Sequence, residues 1–459
     1  MRYGRQEHSV LNQATAFSPG TVTLARPAAP APPATAARDL KWDLLLLCVA
    51  GYLLTSIGRV HQLFPIIGLF RPAILTGLIA TLLYIADARW DRRASLVWGS
   101  TTKYLLALLV WMILTLPGAL VRGMSFELVF DSFSKTVLMY FVVTGAVRGP
   151  RDIERLIGAY LAAASIYAFV VITRFDLGSG DNWRLGHLYY YDANDFATFA
   201  VTAMPFALYF LHTGRGFMTR MLSGLSLGLL SLAFVYTGSR GGFIALIAVG
   251  AFVLARYTSI PVRWRVGATA MITVVVLGTA SERYWTQMST ILSDADYNRT
   301  DESGRLQIWR RGIGYMFENP IFGVGPHNFQ AAEGMLSSFS DRQQRGVGVR
   351  WNAPHNTYLQ AGAELGFPGL TIFILLIASA FAALGRSSTR ERALVRAGLA
   401  RRQLAPPLMA SLIGFVVGAF FLSLAYSEIL FTLIALAVAL QKVTVGPARD
   451  RDLDGAGRS

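Results

Sequence analysis

The sequence predicts an all-α polytopic membrane protein with about twelve transmembrane helices and one large periplasmic loop between spans 9 and 10. Of its 459 residues, 53% are hydrophobic and only 15% are charged. Apolar runs of about 18 residues or more recur along the chain, and each can cross about 30 Å of hydrocarbon as a helix. One long polar interval, residues 281–357, interrupts them. This pattern disfavours a soluble protein with a single large core.

The beginning of the chain differs in composition from the rest. Residues 1–38 end in a stretch rich in Pro and Ala, which has too few large apolar side chains to form a packed core. They are predicted to form a disordered cytoplasmic leader. The single cysteine, Cys48, lies in the first apolar run, which excludes an intrachain disulfide and a cysteine-based metal site.

The apolar runs predict the organisation of the remaining chain. It comprises spans 1–9 at residues 39–280, the periplasmic loop at 281–357, spans 10–12 at 358–442 and a cytoplasmic tail at 443–459. Arg71-Pro72 predicts a kink or an interfacial break in span 2, span 4 carries Asp131 and Lys135, and only Tyr426–Glu428 separates the last two spans. The spans are predicted near 41–58, 63–86, 103–121, 126–147, 153–173, 194–212, 221–237, 241–256, 264–280, 358–384, 407–425 and 427–442.

The basic residues predict the orientation. Most of the 42 Lys and Arg residues fall in termini and short loops that share one side of the membrane when the N-terminus is cytoplasmic. Short basic loops stay in the cytoplasm, whereas long loops cross largely regardless of charge. Both termini are therefore predicted to be cytoplasmic and residues 281–357 periplasmic, in a bacterial inner membrane. Because the charges of this +15 chain are scattered rather than clustered on one soluble face, nucleic acid is excluded as a partner.

The long loop predicts an amphipathic helix. Ser303 is its expected N-cap, and the helix ends at Glu318, before Asn319-Pro320. Arg305 and Trp309 are four residues apart and so share one helical face. The alternative for Arg305 is a surface arginine that contacts lipid headgroups.

Two histidines occur in similar settings within this loop. His355 lies in Pro-His-Asn-Thr-Tyr-Leu-Gln and His327 in Pro-His-Asn-Phe. Imidazole has an unperturbed pKa of about 6.5 and can accept a proton from a hydroxyl near neutral pH. Each histidine is also compatible with a capping role at a helix end. No cluster of Asp, Glu and His at metal-ligand spacing accompanies them, so no metal site is predicted.

The Gly-Ser-Arg-Gly-Gly turn at residues 238–242 predicts an anion site. Arg240 lies where the eighth span begins, and the glycines allow close approach to the backbone. A guanidinium beside free N–H groups at a helix N-terminus suits a phosphate. The alternative is an arginine that extends from a helix end toward the headgroups.

The loop between spans 5 and 6 combines polar and aromatic residues. This loop forms a strip that suits a sugar, because aromatic rings pack on the apolar face of a sugar while polar groups bind its hydroxyls. The strip comprises Arg184, His187, Tyr189 to Tyr191, Asn194 and Asp195. An aromatic belt at the membrane surface explains the tyrosines but neither Arg184 nor Asn194.

Four motifs together resemble the O-antigen ligase family, whose superfamily also includes O-antigen polymerases and protein O-oligosaccharyltransferases. The resemblance covers roughly residues 180–370, and the twelve-span layout extends it over most of the chain. The motifs are Gly-Ser-Arg-Gly-Gly at 238–242, Gly-Arg-x-x-Ile-Trp at 304–309, Asn-Pro-Ile-Phe-Gly-Val-Gly-Pro-x-Asn-Phe at 319–329, and Pro-His-Asn-Thr-Tyr-Leu-Gln followed by Ala-Gly-Ala-Glu-Leu-Gly-Phe-Pro-Gly at 354–369.

The resemblance implies transfer of a glycan from a polyprenyl diphosphate-linked donor on the outer face of the membrane, with no metal, nucleotide sugar or other cofactor. It implies that Arg240 and Arg305 bind the diphosphate and that His355 activates the acceptor hydroxyl. His327 stands where relatives often have Gly. The expected substrate-binding residues are Arg184, Tyr191, Asn194, Trp309, His327, Asn356 and Tyr358.

The leading functional prediction is ligase-type transfer to lipid A-core, with the donor, the acceptor and membrane lipids as partners. A polymerase of O-antigen or exopolysaccharide is the alternative within the superfamily, and a protein O-glycosyltransferase is a third possibility, because the sequence does not contain the acceptor. A transporter of lipid-linked saccharides is the rival from a different class. It is disfavoured because no internal repeat is detected and few charges lie within the spans.

Overall fold

The computed structural model describes residues 41–87, 99–174, 184–185, 191–292, 301–338, 340–345, 351–400 and 402–445. All regular elements of this part of the chain are helices, as predicted. The predicted leader at 1–38 lies outside the described residues, as does the tail beyond residue 445. The predicted domain boundaries stay predictions.

Nineteen helices are labelled in chain order. They are α1 Leu44–Tyr52, α2 Val60–Leu63, α3 Pro65–Gly68, α4 Pro72–Ala86, α5 Ser100–Thr115, α6 Arg122–Phe126, α7 Ser134–Ala146, α8 Pro150–Arg174, α9 Ala193–Thr213, α10 Phe217–Thr237, α11 Arg240–Arg256, α12 Val262–Thr279, α13 Glu282–Ser289, α14 Arg305–Glu318, α15 Phe329–Met335, α16 Ser340–Gln344, α17 Thr357–Arg396, α18 Ala405–Ala419 and α19 Glu428–Val445. Short π-helical and 3₁₀ turns at 53–57, 116–118, 127–133 and 290–292 extend or join some of them.

Eight helices within the described residues are long and apolar enough to cross a membrane. Two shorter apolar helices, Leu44–Ile57 and Ala405–Ala419, coincide with predicted spans 1 and 11. Predicted spans 4 and 8 also fall on helical segments, which do not meet the same length and composition. The protein is thus an all-helical membrane protein, and the count of twelve stays a prediction. The eight are Ile66–Ala86, Ser100–Gly118, α8, α9, α10, α12, α17 and α19.

The centre of the bundle contrasts with its periphery. Burial covers 78% of the span in α9 and 72% of that in α19, but only 6% of the span that contains α4 and 17% of that in α12. Small residues allow the central helices to approach closely: a Cβ atom added at Gly418 would lie 2.6 Å from Thr198 Oγ1. Helices α4 and α12 are therefore outer walls, with most of their surface free to face lipid.

The predicted interruption of span 2 is present, and predicted span 4 is irregular as well. Arg71 adopts a left-handed backbone (φ +43°) and separates α3 from α4, which begins at Pro72. In the fourth, a π-helical turn at Glu127–Phe133 precedes α7. Asp131 and Lys135 form an ion pair of 2.6 Å there, with both side chains 65% exposed.

The long polar interval is joined to α17 through its backbone. Val324 N–H donates to Ala363 O (2.9 Å) and Gly325 N–H to Glu364 O (3.0 Å), beside a break in α17 at Gly366. Gly366 has φ +69°, and a Cβ atom there would lie 2.2 Å from Ile321 O. Only glycine combines that dihedral angle with that approach. The Gly-rich turn after α14 is consequently fixed against the first part of α17.

Candidate functional site

The centre of the site is the connector between α18 and α19, residues 420–427. The His355 backbone N–H donates to Ser423 Oγ (2.9 Å), and Thr357 Oγ1 donates to Leu422 O (2.8 Å). The prediction that span 11 continues to residue 425 is wrong, because α18 ends at Ala419. Hydropathy could not distinguish this connector from a span, since most of its residues are apolar.

The second half of the 420–427 connector contacts the next turns of α17. Ala425 N–H donates to Gln360 Oε1 (3.2 Å), and Tyr426 OH donates to Glu364 Oε2 (2.7 Å). Burial, together with the neighbouring Glu364 carboxylate, raises the pKa of the Tyr426 hydroxyl well above its usual range. The hydroxyl therefore stays protonated and remains a donor.

Residues 354–356 form a strained turn that presents His355. His355 has φ +44°, a left-handed conformation that costs energy for a residue other than glycine. Asn356 is the N-cap of α17, and its Oδ1 accepts from Tyr358 N and Leu359 N (both 3.0 Å). Tyr358 OH donates to Val416 O of α18 (2.9 Å). Through these hydrogen bonds the polar atoms of Asn356 and Tyr358 hold the turn in place.

Residues 326–328 repeat that turn before α15. His327 has φ +62°, and Asn328 is the N-cap position of α15. The two oxygens of the buried Glu364 carboxylate accept from His327 N (2.9 Å) and Phe329 N (3.2 Å). The positive φ at His327 favours glycine at this position, because glycine adopts this conformation without strain.

Helix α14 contacts the His355 turn through Trp309. Trp309 Nε1 donates to Pro354 O (2.9 Å), and its ring packs edge-on against Phe420 at 5.6 Å. Arg305 lies one turn earlier on the same face of α14. The predicted N-cap Ser303 is wrong: the N-cap is Gly304, and no side chain caps this helix. The end of the helix at Glu318 is confirmed.

Arg240 is the first residue of α11. Ser239 is the N-cap and accepts from Gly242 N (3.1 Å), while Arg240 Nη1 donates to Thr290 Oγ1 (2.7 Å). A Cβ atom added at Gly241 would lie 2.7 Å from the Cβ atom of Phe421. The N-terminus of α11 thus packs on the 420–427 connector. The same connector accepts the hydrogen bond from His355 N–H at Ser423 and contacts Trp309 through Phe420.

Arg184 and Asn194 are brought together, as the sugar-binding prediction requires. Arg184 Nη2 donates to Asn194 Oδ1 (3.1 Å) and its Nε to Thr237 O (2.7 Å), beside the Gly-Ser-Arg-Gly-Gly turn. Tyr191 OH donates to Ile57 O (2.5 Å), and only 7% of this residue is exposed. Tyr189 and Tyr190 lie outside the described residues.

A cavity of about 920 Å³ adjoins the His355 turn. Tyr191 and His327 line it, as do Pro354 and Ser423 on either side of His355; the other predicted site residues are not among its described lining. One wall is the apolar face of the peripheral α4, so the cavity is amphiphilic. Its charged lining side chains are Arg59, Asp131, Lys135, Asp195, Glu364 and Glu428. Among the described residues no three His, Cys, Asp or Glu side chains are grouped to hold a metal ion.

A family model described as O-antigen ligase matches residues 225–374. This segment is similar to the O-antigen ligase family. The match confirms the resemblance drawn from the motifs, and it includes Arg240, Arg305 and His355. No curated protein matches the chain. Residues 225–374 of this membrane protein are therefore similar to the O-antigen ligase family, whose members are glycosyltransferase-like enzymes with lipid-linked glycans and membrane lipids as partners.

The O-antigen ligase segment omits two parts of the site that sequence reasoning also missed or ranked lower. The 420–427 connector lies beyond it, and Arg184 and Asn194 lie before it. Within the segment, Glu364 belongs to the motif at 354–369, and no role was predicted for it. A carboxylate inside an apolar span is unusual enough to mark a site, and that signal could have found Glu364.

Proposed function

We propose that this protein transfers a glycan from a polyprenyl diphosphate-linked donor to lipid A-core, as an O-antigen ligase does. One observation carries the proposal. The 420–427 connector contacts the N-terminus of α11 through Phe421, Trp309 of α14 through Phe420, and the His355 turn through Ser423. Three segments distant in sequence thereby bring Arg240, Arg305 and His355 to one end of the bundle.

The chemistry of the proposal needs a base and a stabilised leaving group. The acceptor oxygen forms a bond to the anomeric carbon of the donor sugar, and the bond from that carbon to the diphosphate oxygen breaks. The acceptor proton passes to the His355 imidazole. Negative charge grows on the leaving diphosphate, where Arg240, Arg305 and the N–H groups at the start of α11 would stabilise it.

The amphiphilic cavity supports an acceptor that is itself a lipid with a polar head. Its polar wall adjoins Pro354 and Ser423, next to His355, while α4 offers an apolar wall toward the lipid. Lipid A-core has both parts. A second polyprenyl-linked glycan, the acceptor of a polymerase, has them too, and the experiment below separates the two.

The opposite end of the bundle supports a cytoplasmic location for the termini. Arg148 pairs with Asp43 at 2.7 Å and with Asp152 at 2.8 Å, and Lys442 Nζ donates to Val147 O (3.3 Å). Basic residues gathered at one end of a membrane bundle favour the cytoplasmic side. We therefore place the active site on the periplasmic face of the inner membrane.

Reconstitution tests the function. The purified protein would receive a polyprenyl diphosphate-linked oligosaccharide together with lipid A-core or with further donor lipid, in the presence of EDTA. A gel shift of lipid A-core would support the ligase. A ladder on the donor lipid would establish the polymerase instead, and donor that changes leaflet without glycan transfer would establish a transporter.

Matched variants link the chemistry to the proposed residues. Arg240→Gln and Arg305→Gln should each lower kcat by roughly 10²–10³-fold. Arg256→Gln, at the other end of α11, and Arg310→Gln, exposed on α14, should leave it unchanged. A loss of kcat in the Arg256 and Arg310 variants equal to that in the Arg240 and Arg305 variants would contradict the assigned roles.

A further inference from the structure

Helices α9 to α12 contain arginines but almost no acidic residues. Between Asp195 and Glu282 the sequence has no Asp or Glu. Arg184 bonds both the start of α9 and the end of α10, so the α9–α10 connection lies at the other end of these helices. The α11–α12 connection lies there too, because α11 begins at the Gly-Ser-Arg-Gly-Gly turn. Four arginines belong to these two connections and the helix ends beside them: Arg215, Arg220, Arg256 and Arg263.

The two connections meet around His212. Its ring packs edge-on against Trp264 of α12 at 6.1 Å, and the charges of Arg220 and Arg263 both act on it. Arg220 Nε donates to Gly214 O (3.1 Å), which holds this guanidinium over the α9–α10 turn. Helix α12 packs against both α10 and α11. We call the resulting basic surface the His212 cluster, which comprises His212, Arg215, Arg220, Arg256 and Arg263.

The arginines of the His212 cluster are not neutralised within the described part of the chain. All four are exposed, and none forms an ion pair with a described residue. Arginines elsewhere at this end of the bundle differ. Arg148 pairs with Asp43 (2.7 Å) and Asp152 (2.8 Å), and Arg402 pairs with Glu154 (2.6 Å). Those arginines join helices to one another, whereas the His212 cluster has surplus positive charge for an external anion.

Exposed apolar side chains stand beside these charges. Phe217 and Met218 begin α10 and are 80% and 60% exposed, and Val262 begins α12 and is 61% exposed. The buried Tyr257 and Ile260 anchor the α11–α12 connection, which leaves Val262 at the surface. Neither α10 nor α12 has a side-chain N-cap, so their first N–H groups add to the positive charge. Cations next to apolar side chains are complementary to a lipid with an anionic headgroup.

We propose that the His212 cluster binds an anionic phospholipid, with its phosphate between the arginines of the two connections and an acyl chain against Phe217 and Val262. Guanidinium groups bind phosphate in bidentate fashion, and basic pockets between spans bind anionic headgroups on the cytoplasmic side. The choline of a zwitterionic lipid would instead oppose the arginines. The bound phosphate would tie the peripheral α12 to α10. This site is independent of glycan transfer.

Lipid titration of the purified full chain tests the site, with bound lipid counted by native mass spectrometry. The probes are phosphatidylglycerol and phosphatidylcholine with identical acyl chains, and no glycan donor or acceptor is added. Wild-type protein should bind phosphatidylglycerol more tightly. Removal of two charges in Arg220→Gln/Arg263→Gln should weaken phosphatidylglycerol binding by roughly thirtyfold and leave phosphatidylcholine binding unchanged.

Two further double variants complete the titration. Arg215→Gln/Arg256→Gln should also weaken phosphatidylglycerol binding. These two side chains make no hydrogen bond to a described residue, so this variant keeps the test valid if Arg220→Gln/Arg263→Gln does not fold. The matched control is Arg392→Gln/Arg396→Gln, which removes two exposed charges of α17 at the same end of the bundle. It should leave the affinity for phosphatidylglycerol unchanged.

Trp264 locates the bound lipid, because it contacts His212. Bromine atoms on an acyl chain quench indole fluorescence at short range, and the quenching lost in Trp264→Phe belongs to Trp264. Brominated phosphatidylglycerol should quench Trp264 more strongly than brominated phosphatidylcholine does. In the Arg220→Gln/Arg263→Gln background the two lipids should quench it equally.

Three outcomes would overturn the inference. Equal affinity of the wild-type protein for the two lipids would show that the headgroup charge is not recognised. Full affinity for phosphatidylglycerol in both cluster variants would place the lipid elsewhere. An equal loss in the α17 control would show a diffuse attraction to the basic end of the bundle, with no site at His212. Because no glycan is transferred in these measurements, the lipid site and the proposed function fail separately.

Discussion

The two Pro-His-Asn turns are locally alike and differ in what surrounds them. In both, the histidine has a left-handed backbone and the asparagine is at the N-cap position of a helix. The His355 turn rests on Ser423 of the connector and on Trp309, in the region that also receives Arg240. The His327 turn rests on the Glu364 carboxylate and lines the charged cavity. The same tripeptide therefore makes the same turn, and its tertiary partners decide which histidine rests on the 420–427 connector.

The largest expected difference between the two turns is in catalysis. Asparagine tolerates a left-handed backbone, so His355→Asn removes the base with little added strain. We expect kcat to fall by roughly 10²–10⁴-fold. His327→Asn, the matched change, should lower it less than tenfold. Transfer to lipid A-core would be measured after equal membrane insertion is verified. Equal losses would remove the distinction between the two histidines.

Substitution by aspartate should destabilise the protein much more at Asn328 than at Asn356. Asn356 uses its oxygen as an acceptor, whereas the Asn328 amide nitrogen donates to Ser125 Oγ (3.0 Å) and Val324 O (3.2 Å). Asn356→Asp keeps the cap and should cost less than about 1 kcal/mol. Asn328→Asp buries a carboxylate among acceptors and should cost about 3 kcal/mol or more. Thermal unfolding in detergent measures both, and similar losses would contradict the assignment.

Variants at the residues that support the two turns should separate effects on stability from effects on activity. Ser423→Ala leaves His355 N–H without its acceptor. Glu364→Gln leaves the backbone N–H of His327 or of Phe329 without its acceptor oxygen. Each should cost about 1–3 kcal/mol of stability. Only Ser423→Ala should also lower kcat, by roughly tenfold or more, because it displaces the base. Single-turnover transfer below the melting temperature distinguishes them. A larger kcat loss for Glu364→Gln would move the catalytic role toward His327.

The smallest expected effect concerns backbone strain at His327. Glycine avoids a left-handed penalty of about 1–2 kcal/mol but loses more chain entropy on folding. His327→Gly should therefore stabilise the protein by about 0.5–1 kcal/mol relative to His327→Ala, which keeps the strain. Melting temperatures of the two variants give the comparison. A less stable glycine variant would show that the left-handed φ at His327 causes little strain.

Much of the fold class and part of the site could be predicted from local pattern. Repeated apolar runs predicted an all-helical membrane protein, and Arg71-Pro72 predicted the break before α4. Arg240 and Arg305 do begin helices, and α14 ends at Glu318 as expected. Ser303 was the wrong N-cap because capping depends on the backbone geometry of one residue, and Gly304 takes that position. The roles of the predicted site residues stay predictions.

By itself the sequence determined that the chain is helical and apolar, where many of its helices begin, and which motifs link it to the O-antigen ligase family. Those properties depend on periodicity, composition and residues close in the chain. Only the tertiary structure decided that the apolar 420–427 connector leaves the helix and receives three distant segments, and that a charged cavity lies beside the His355 turn. Hydropathy records how apolar a segment is. It carries no information on which distant side chains a buried segment contacts.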